Sequence, residues 1–347
     1  MVNCLSVKKA DGERARELLL KYNLLDEKYK VKNVSDRVYF PVKAAFRLEE
    51  LIKELPGAEI SENVFDLKTK PRTLRLRDLL ASSLSEYDRK IFPRSYDVIG
   101  DLMLIELKEE LWADRFKIGA IIKENFTRIR GVFAKKGVVE GEFRVREIEC
   151  IGGECNPVTI HVENGCKYHL DLTKVYFNNR LSSERRRVAE QVKPDENVID
   201  MFAGVGPFTI LIAKKGAKVN AIDVNPDAVF YLKKNIVENK VEGNAVAYLG
   251  RAEEIVEYYL TNKADRVIMN LPSASINYLN SACKSLKKRG GVVHLYFFSD
   301  VKELESKIKQ TEEAVKTSMY KIKEQNIRRV REIAPFKYIY VLDLTLG

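Results

Sequence analysis

Along this chain the spacing of apolar positions switches between the alternation of a half-buried strand and the period of about 3.6 of an amphipathic helix. Val7 closes a short strand, and Gly12 to Tyr22 carries a helical stripe through Ala15, Leu18 and Leu19. Val38 to Val42 is strand-like, and Phe46 to Leu55 is a second amphipathic helix, so residues 1–67 read as a small α/β domain. Residues 68–75 are basic, contain Pro71 and have no apolar face, which makes them a linker. Residues 76–172 form an α+β domain: Asp97 to Leu107 alternates and then turns continuously apolar, Glu109 to Asn125 has helical period, and Gly131 to Lys135 is again strand-like. After Phe143 to Cys150 comes a hairpin from Thr159 to Leu170 on an Asn164-Gly165 turn. From 173 to 347 strands and helices alternate as a parallel, doubly wound sheet demands. Its strands are expected at Asn197–Met201, Lys218–Asp223, Ala245–Leu249, Arg266–Met269 and Gly291–Phe297, with Tyr338–Leu346 as an antiparallel edge strand. Helices are expected at Lys233–Lys240 and Glu303–Thr317.

Within that third block one strand runs into a glycine turn and on into an apolar helix, as Asp200-Met-Phe-Ala-Gly-Val-Gly-Pro207. Glycines at 204 and 206 let the backbone approach a ligand outside the carboxyl ends of the strands. Asp223 ends the next strand, 19 residues beyond Gly204, near the separation at which a carboxylate meets the hydroxyls of a ribose. Such a turn also serves dinucleotides. Three details favour S-adenosylmethionine: Asp200 precedes the turn where it could meet a cationic amino acid moiety, no third glycine follows at the dinucleotide spacing, and Asn270-Leu-Pro272 comes after a later strand.

The Asn270 loop ends a strand at the edge where the cofactor's reactive end must lie, and an asparagine there offers a planar base both an acceptor and a donor. Ser273 and Ala274 follow in place of the stacking aromatic of amino-group methylases, which argues against an exocyclic amine as acceptor. No cysteine sits in the loop to attack a pyrimidine carbon, and Cys283 falls in the helix beyond. A structural Asn-Pro loop end is the alternative. Upstream, Ser182 or Ser183 could cap a helix whose first turn holds Glu184, and on capping grounds alone Glu184 is a carboxylate that favours the helix dipole.

A net charge of +10 points to a polyanionic partner rather than a neutral metabolite. The strands of the second block carry Arg128, Arg130, Lys135, Lys136, Arg144 and Arg146, a density that suits phosphate contact, with a solvated sheet face as the alternative for most of them singly. No signal peptide and no run of membrane-spanning length are read, so a cytoplasmic protein without membrane association is expected. Cys4, Cys150, Cys155, Cys166 and Cys283 show no paired metal spacing and no even disulfide framework; they read as thiols, and no metal is expected. Charged residues make up 32% of the chain while glutamine occurs three times, a balance met in proteins from hot environments.

Taken in order, Phe143-Arg-Val-Arg-Glu, Thr159-Ile-His-Val-Glu-Asn-Gly, Lys174-Val-Tyr-Phe177, Arg180 with Ser183-Glu-Arg185, the glycine turn, Ala221-Ile-Asp-Val-Asn-Pro226 and Asn270-Leu-Pro272 form a set. On it the chain resembles the archaeal and eukaryotic tRNA (guanine-N1) methyltransferases that modify the guanosine following the anticodon, tRNA position 37. The resemblance covers nearly the whole chain and implies a Rossmann-like class I methyltransferase domain preceded by two smaller domains, the first of which contacts the tRNA elbow in this family. It implies Glu184 as the general base for the N1 proton, Arg144 stabilising charge on O6, Asn270 and Pro272 holding the guanine, and Tyr176 positioning base or cofactor. Arg185 would lie beside S-adenosylmethionine, with Phe202, Ala203, Gly204, Val205 and Gly206 around its amino acid moiety, Asp223 on its ribose, and Val224 and Asn225 beside its adenine. Where the family places an aspartate to meet the adenine amine this chain has Arg251 before Ala252, and an arginine cannot accept a hydrogen bond. Competing readings are a wybutosine-pathway relative, transferring an aminocarboxypropyl group or methylating a tricyclic intermediate, and a non-catalytic tRNA-binding protein; Glu184 together with the Asn270 loop favours methyl transfer. The catalytic unit is complete in one chain, which favours a monomer.

Overall fold

The computed structural model describes residues 2–43, 48–66, 76, 91–93, 95–141, 143 and 145–347. The chain divides into two compact units, residues 1–78 and 79–347. In the first, strands β1 (Val2–Lys8), β2 (Lys32–Val34), β3 (Arg37–Pro41) and β4 (Glu59–Asn63) form an antiparallel sheet in the order β2-β3-β1-β4. The stripe expected from Ala15 to Leu19 lies on the helix Gly12–Lys21, whose Ala15 and Leu19 bury against Leu5, Val7 and Phe40. A second helix spans Leu48–Glu54 and adds Leu48 and Leu51 to that core. Its expected beginning at Phe46, and the linker at 68–75, lie outside the described residues.

The second unit holds a four-stranded sheet, a hairpin and a seven-stranded sheet. The first consists of β5 (Tyr96–Ile99), β6 (Leu102–Ile105), β7 (Gly131–Glu140) and β8 (Val145–Gly153), in that order. The single run expected from Asp97 to Leu107 is thus two strands, because Gly100 adopts φ +59° and turns the chain back on itself. The helix expected from Glu109 is a short 3-10 turn followed by Arg115–Asn125. Cys150 and Cys155 are joined by a disulfide, against the expectation of thiols; Gly153 at φ +74° reverses the chain between them and brings the Cα atoms to 5.4 Å. Cys4, Cys166 and Cys283 are buried thiols. The hairpin is β9 (Val158–Glu163) and β10 (Cys166–Asp171), joined by Asn164 and Gly165 at φ +49° and +73°. His161 opposes Tyr168 and His169 opposes Ile160, so the two histidines face opposite sides.

Strands β11 (Asn197–Asp200), β12 (Lys218–Asp223), β13 (Ala245–Leu249), β14 (Arg266–Met269) and β15 (Gly291–Asp300) are parallel, and β17 (Lys337–Leu346) returns antiparallel beside β15. The order is β13-β12-β11-β14-β15-β17-β16. The edge is not β17 as expected but β16 (Ile322–Ala334), a strand too charged to show an apolar alternation. Alternation along the inner strands buries both faces: Val198, Val219, Ile268 and Val341 join one core, Ile199, Ile222, Val267 and Leu342 the other. Burying each such side chain stabilises the fold by about 1.5–3 kcal/mol, which fixes the strand ends that carry the site. Among the described residues no helix is long and apolar enough to cross a membrane.

Candidate active site

A cleft of about 800 Å³ opens at the carboxyl edge of β11, β12 and β14, where a doubly wound sheet places its ligands. One wall is the glycine turn. Met201 donates its N–H to the carbonyl of Ile268 and Ala203 donates to that of Ile222, so the turn is stitched to β14 on one side and β12 on the other. Gly206, at φ +88°, leads into the helix Pro207–Ala213, and a Cβ there would lie 2.4 Å from Leu232. Gly204, at φ +55°, has only the carbonyl of Tyr176 within reach, at 3.9 Å. Packing requires Gly206, while Gly204 leaves open space. Phe202 and Gly204 line the cleft; Ala203 and Val205, expected around a ligand, are buried beneath it.

Asp223 accepts the Gly204 N–H at 2.7 Å through one oxygen and the Asn225 N–H at 2.9 Å through the other. Burial raises its carboxyl above the usual range, and these backbone donors oppose that. Each oxygen keeps a lone pair for a ligand hydroxyl. Asn225 lines the cleft with Val224 but also caps the helix Pro226–Glu238, accepting from Asp227 at 3.0 Å and donating to the Lys174 carbonyl at 2.8 Å. Asp200 departs from its expected place: it is 1% exposed, absent from the lining, and accepts from the Thr209 hydroxyl at 2.8 Å. Burial pushes its carboxyl up to about 7. Gly250, Arg251, Ala252 and Glu253 continue the wall, and the Arg251 Nε donates to Glu253 at 3.2 Å. Glu253 escaped the sequence reading, although it is the nearest carboxylate to the missing aspartate.

The opposite wall begins at β14. Asn270 and Pro272 line the cleft, and Asn270 Oδ1 is buried without a hydrogen-bond partner among the described residues. Ser275 holds their loop in shape: its hydroxyl donates to the Met269 carbonyl at 2.8 Å and accepts the Leu271 N–H at 3.1 Å. Phe298 donates to the Pro272 carbonyl at 3.0 Å, pinning the loop to β15. Tyr176, half exposed, lines the cleft with Phe177, Asn178, Asn179 and Arg180. Beside them stand Asp97, Lys135 and Arg331, none of which carries a local motif, and Arg146 of the Phe143-Arg-Val-Arg-Glu run. Arg144 lies outside the described residues; Phe143 and Arg146 on either side both line the cleft.

Glu184 and Arg185 do not line it. Ser182 begins the helix Ser182–Gln191 rather than capping it, after a 3-10 turn capped by Asn178. Glu184, 2% exposed, accepts from Arg187 at 2.7 Å and from the Tyr296 hydroxyl at 2.8 Å, one turn beyond Leu181, which does line the cleft. Arg185, also 2% exposed, donates to Glu163 at 2.6 Å and to the Asn178 carbonyl, with its guanidinium 5.1 Å from the centre of the Phe177 ring. Through these contacts it holds Phe177 and Asn178, which do line the cleft. Among the described residues no cluster of His, Cys, Asp or Glu could hold a metal ion. The arrangement can seat a nucleoside on one wall and a planar, hydrogen-bonding group flanked by cations on the other.

Comparison with known proteins agrees along the whole chain. The tRNA methyltransferase 5 N-terminal domain matches residues 4–49, the TYW2 N-terminal domain 76–156 and the TRM5/TYW2 methyltransferase domain 159–323. The tRNA (guanine(37)-N(1))-methyltransferase Trm5b of Methanocaldococcus jannaschii is 35% identical, over 99% of this chain and 98% of that one. The crystal structure of wild-type Trm5b from Pyrococcus abyssi aligns over 100% of both chains, with a TM-score of 0.75 and 36% identity. The complex structure of aTrm5 and tRNALeu aligns over 99% of both, with a TM-score of 0.69 and 34% identity.

Proposed function

The chain belongs to the TRM5/TYW2 methyltransferase family and is an S-adenosylmethionine-dependent tRNA (guanine(37)-N(1))-methyltransferase; from that premise we propose how its residues divide the work. The observation that carries the reading is Asn270 Oδ1, a buried acceptor without a donor among the described residues, set in the same cleft as the glycine turn and Asp223. A buried unsatisfied acceptor costs about 1–3 kcal/mol, and the exocyclic amine of guanine supplies the missing donor.

The residues present fit the cofactor. Asp223 has lone pairs for the ribose hydroxyls, Gly204 leaves room for the chain beyond, and Val224 and Ala252 flank the adenine side. Bound there, S-adenosylmethionine supplies a methyl group on a positively charged sulfur. Asn270 and Pro272 hold the guanine edge and Tyr176 flanks it. Arg144 bonds O6 as negative charge gathers there, since a guanidinium offers a rigid fork of donors. Glu184 takes the N1 proton, exchanging one of its hydrogen bonds to Arg187 or Tyr296 for the guanine N1–H. Arg185 acts through Phe177 and Asn178, positioning rather than binding. Residues 1–67 give the tRNA a second grip, 76–172 guide it and 173–347 carry the transfer. With both walls drawn from one chain, the enzyme works as a monomer, in the cytoplasm.

The test is to incubate the protein with labelled cofactor and unmodified tRNA and map the product nucleosides by mass spectrometry. N1-methylguanosine at position 37 is expected. Its absence, or an added mass matching an aminocarboxypropyl group, would overturn the reading.

A further inference from the structure

We propose that Arg331 and Arg180 clamp a phosphodiester of the tRNA beside the guanosine being modified, an inference that rests on the tRNA reading above. The edge strand β16 is long and exposed, and its arginines keep it from pairing with other chains. One feature goes beyond that protective use. Arg328 opposes Val341 and Arg329 opposes Tyr340, but a bulge leaves Val330 unpaired and sets Arg331 opposite Ile339. In regular register Arg331 would oppose Tyr338, on the far face of the sheet. The bulge turns it onto the face where Ile339 lines the cleft, and bulges beside active sites often re-aim a side chain in this way.

Once there, Arg331 faces too much positive charge. Its Nε donates to the Glu332 carbonyl at 3.2 Å, and no carboxylate lies within ion-pair distance of it among the described residues. Burial and the like charge of Arg180 both act against its guanidinium, and Asp97 offsets them only in part. Asp97 is already engaged, accepting from Lys135 at 2.7 Å and from the Arg180 Nε. Three cations thus share one carboxylate. The Arg180 Nη2 donates to the Tyr96 carbonyl at 3.3 Å, and its Nη1 makes no hydrogen bond among the described residues. Asp97 and Tyr96 therefore fix the guanidinium while leaving one edge of it open.

An oxyanion with two oxygens completes such a pair, because arginine forks match phosphate geometry. The cofactor's own carboxylate is the other anion in the cleft, and distance decides against it. Arg331 stands four strands along the sheet from the glycine turn at the end of β11, roughly 19 Å at about 4.8 Å per strand. From Asn270 at the end of β14 it is only three strands away, a gap that a nucleotide's sugar and the arginine side chain close together.

The experiment uses the full chain with Arg331→Ala and Arg331→Lys, measuring equilibrium binding of unmodified tRNA across a potassium chloride series and of S-adenosylmethionine separately. For alanine we expect roughly tenfold weaker tRNA binding and a salt slope smaller by about one, as for the loss of one phosphate contact. Lysine should restore the slope while recovering only part of the affinity, since it keeps the charge without the fork. Cofactor affinity should not move. Unchanged tRNA affinity and slope in the alanine variant would sink the clamp, and so would weakened cofactor binding with tRNA binding intact, which would assign the anion to the cofactor. Should alanine loosen the strand, as melting would show, Arg331→Gln keeps the length without the charge and must give the same slope. A wild-type protein that makes no N1-methylguanosine counts against the proposed function instead of the clamp.

Discussion

The two walls of the cleft are built by different means. The cofactor wall comes from consecutive strand ends of one βαβ unit, and its contacts are largely backbone: the Gly204 and Asn225 N–H groups on Asp223, and the Met201 and Ala203 N–H groups on neighbouring strands. The acceptor wall joins Asp97 on β5, Lys135 on β7, Arg180 before a helix and Arg331 on β16, and ion pairs hold much of it together. A wall made of backbone tolerates many side chains but demands glycine and one acid. A wall made of distant side chains depends on each of them, and on whatever lies behind.

The sharpest way to break this contrast is Glu184→Gln, which changes the acceptor side alone. We expect cofactor and tRNA binding to persist while turnover falls on the order of 10²-fold or more, the usual range for a general base. Single-turnover kinetics check it. Unchanged turnover would return Glu184 to the structural part that its bonds to Arg187 and Tyr296 already describe. The converse change, Asp223→Ala, should weaken cofactor binding on the order of a hundredfold, through lost charge-assisted hydrogen bonds, and leave tRNA affinity alone. Isothermal titration with each ligand separates the two; a loss of tRNA affinity as well would mean the walls are coupled.

The same contrast explains what could be read from the chain. The glycine turn, Asp223 and the strands β12, β13 and β14 were legible because they are local: each follows from apolar runs and turn residues within a short window. β16 was not, since an edge strand covered in arginine and glutamate has no hydrophobic alternation to show. Asp97, Lys135 and Arg331 carry no motif at all, and only the topology brings them together. Ala203 and Val205 were expected around the ligand from their place in the turn; both are buried, and neither lines the cleft. Asp200, at the end of a central strand, is likewise buried below the lining of the cleft, a depth that its place in the motif does not show. The disulfide escaped because a spacing between Cys150 and Cys155 matches no framework until the turn at Gly153 is known.

Behind the acceptor wall a buried relay continues from Arg187 to Asp343, His294 and Arg266. The Arg266 Nη1 can only donate, so His294 Nε2 accepts at 2.7 Å and Nδ1–H donates to Asp343 at 2.6 Å. The imidazole is therefore neutral. Burial lowers its pKa below the ordinary 6.5, more than Asp343 raises it. Below 6.5 the unfolded chain takes up a proton that the folded one refuses, so this site loses stability as pH falls from there toward the depressed folded value. The loss should approach about 1.4 kcal/mol per pH unit within that window. Chemical denaturation of wild type and His294→Gln at stepped pH reads it: the wild-type curve should fall faster below that point, and parallel curves would remove His294 as the cause.

The smallest effect tests the one gap in the cofactor wall. Arg251 stands where the resemblance implies an acceptor for the adenine amine, and Glu253 lines the cleft two residues on. The pair between them has side chains 51% and 39% exposed, and contacts of that kind contribute little. The carboxylate of Glu253 can therefore turn to an amine without a large loss. Exchanging it for an amide in Glu253→Gln weakens the acceptor but keeps the shape, so cofactor affinity should drop only about threefold, within the range of a single partly exposed hydrogen bond. Competition with adenosine and inosine sharpens the result, because inosine lacks the amine: the variant should discriminate between them less than the wild type does. Equal discrimination would assign the adenine to backbone carbonyls and make this stretch, too, a backbone surface like the rest of its wall.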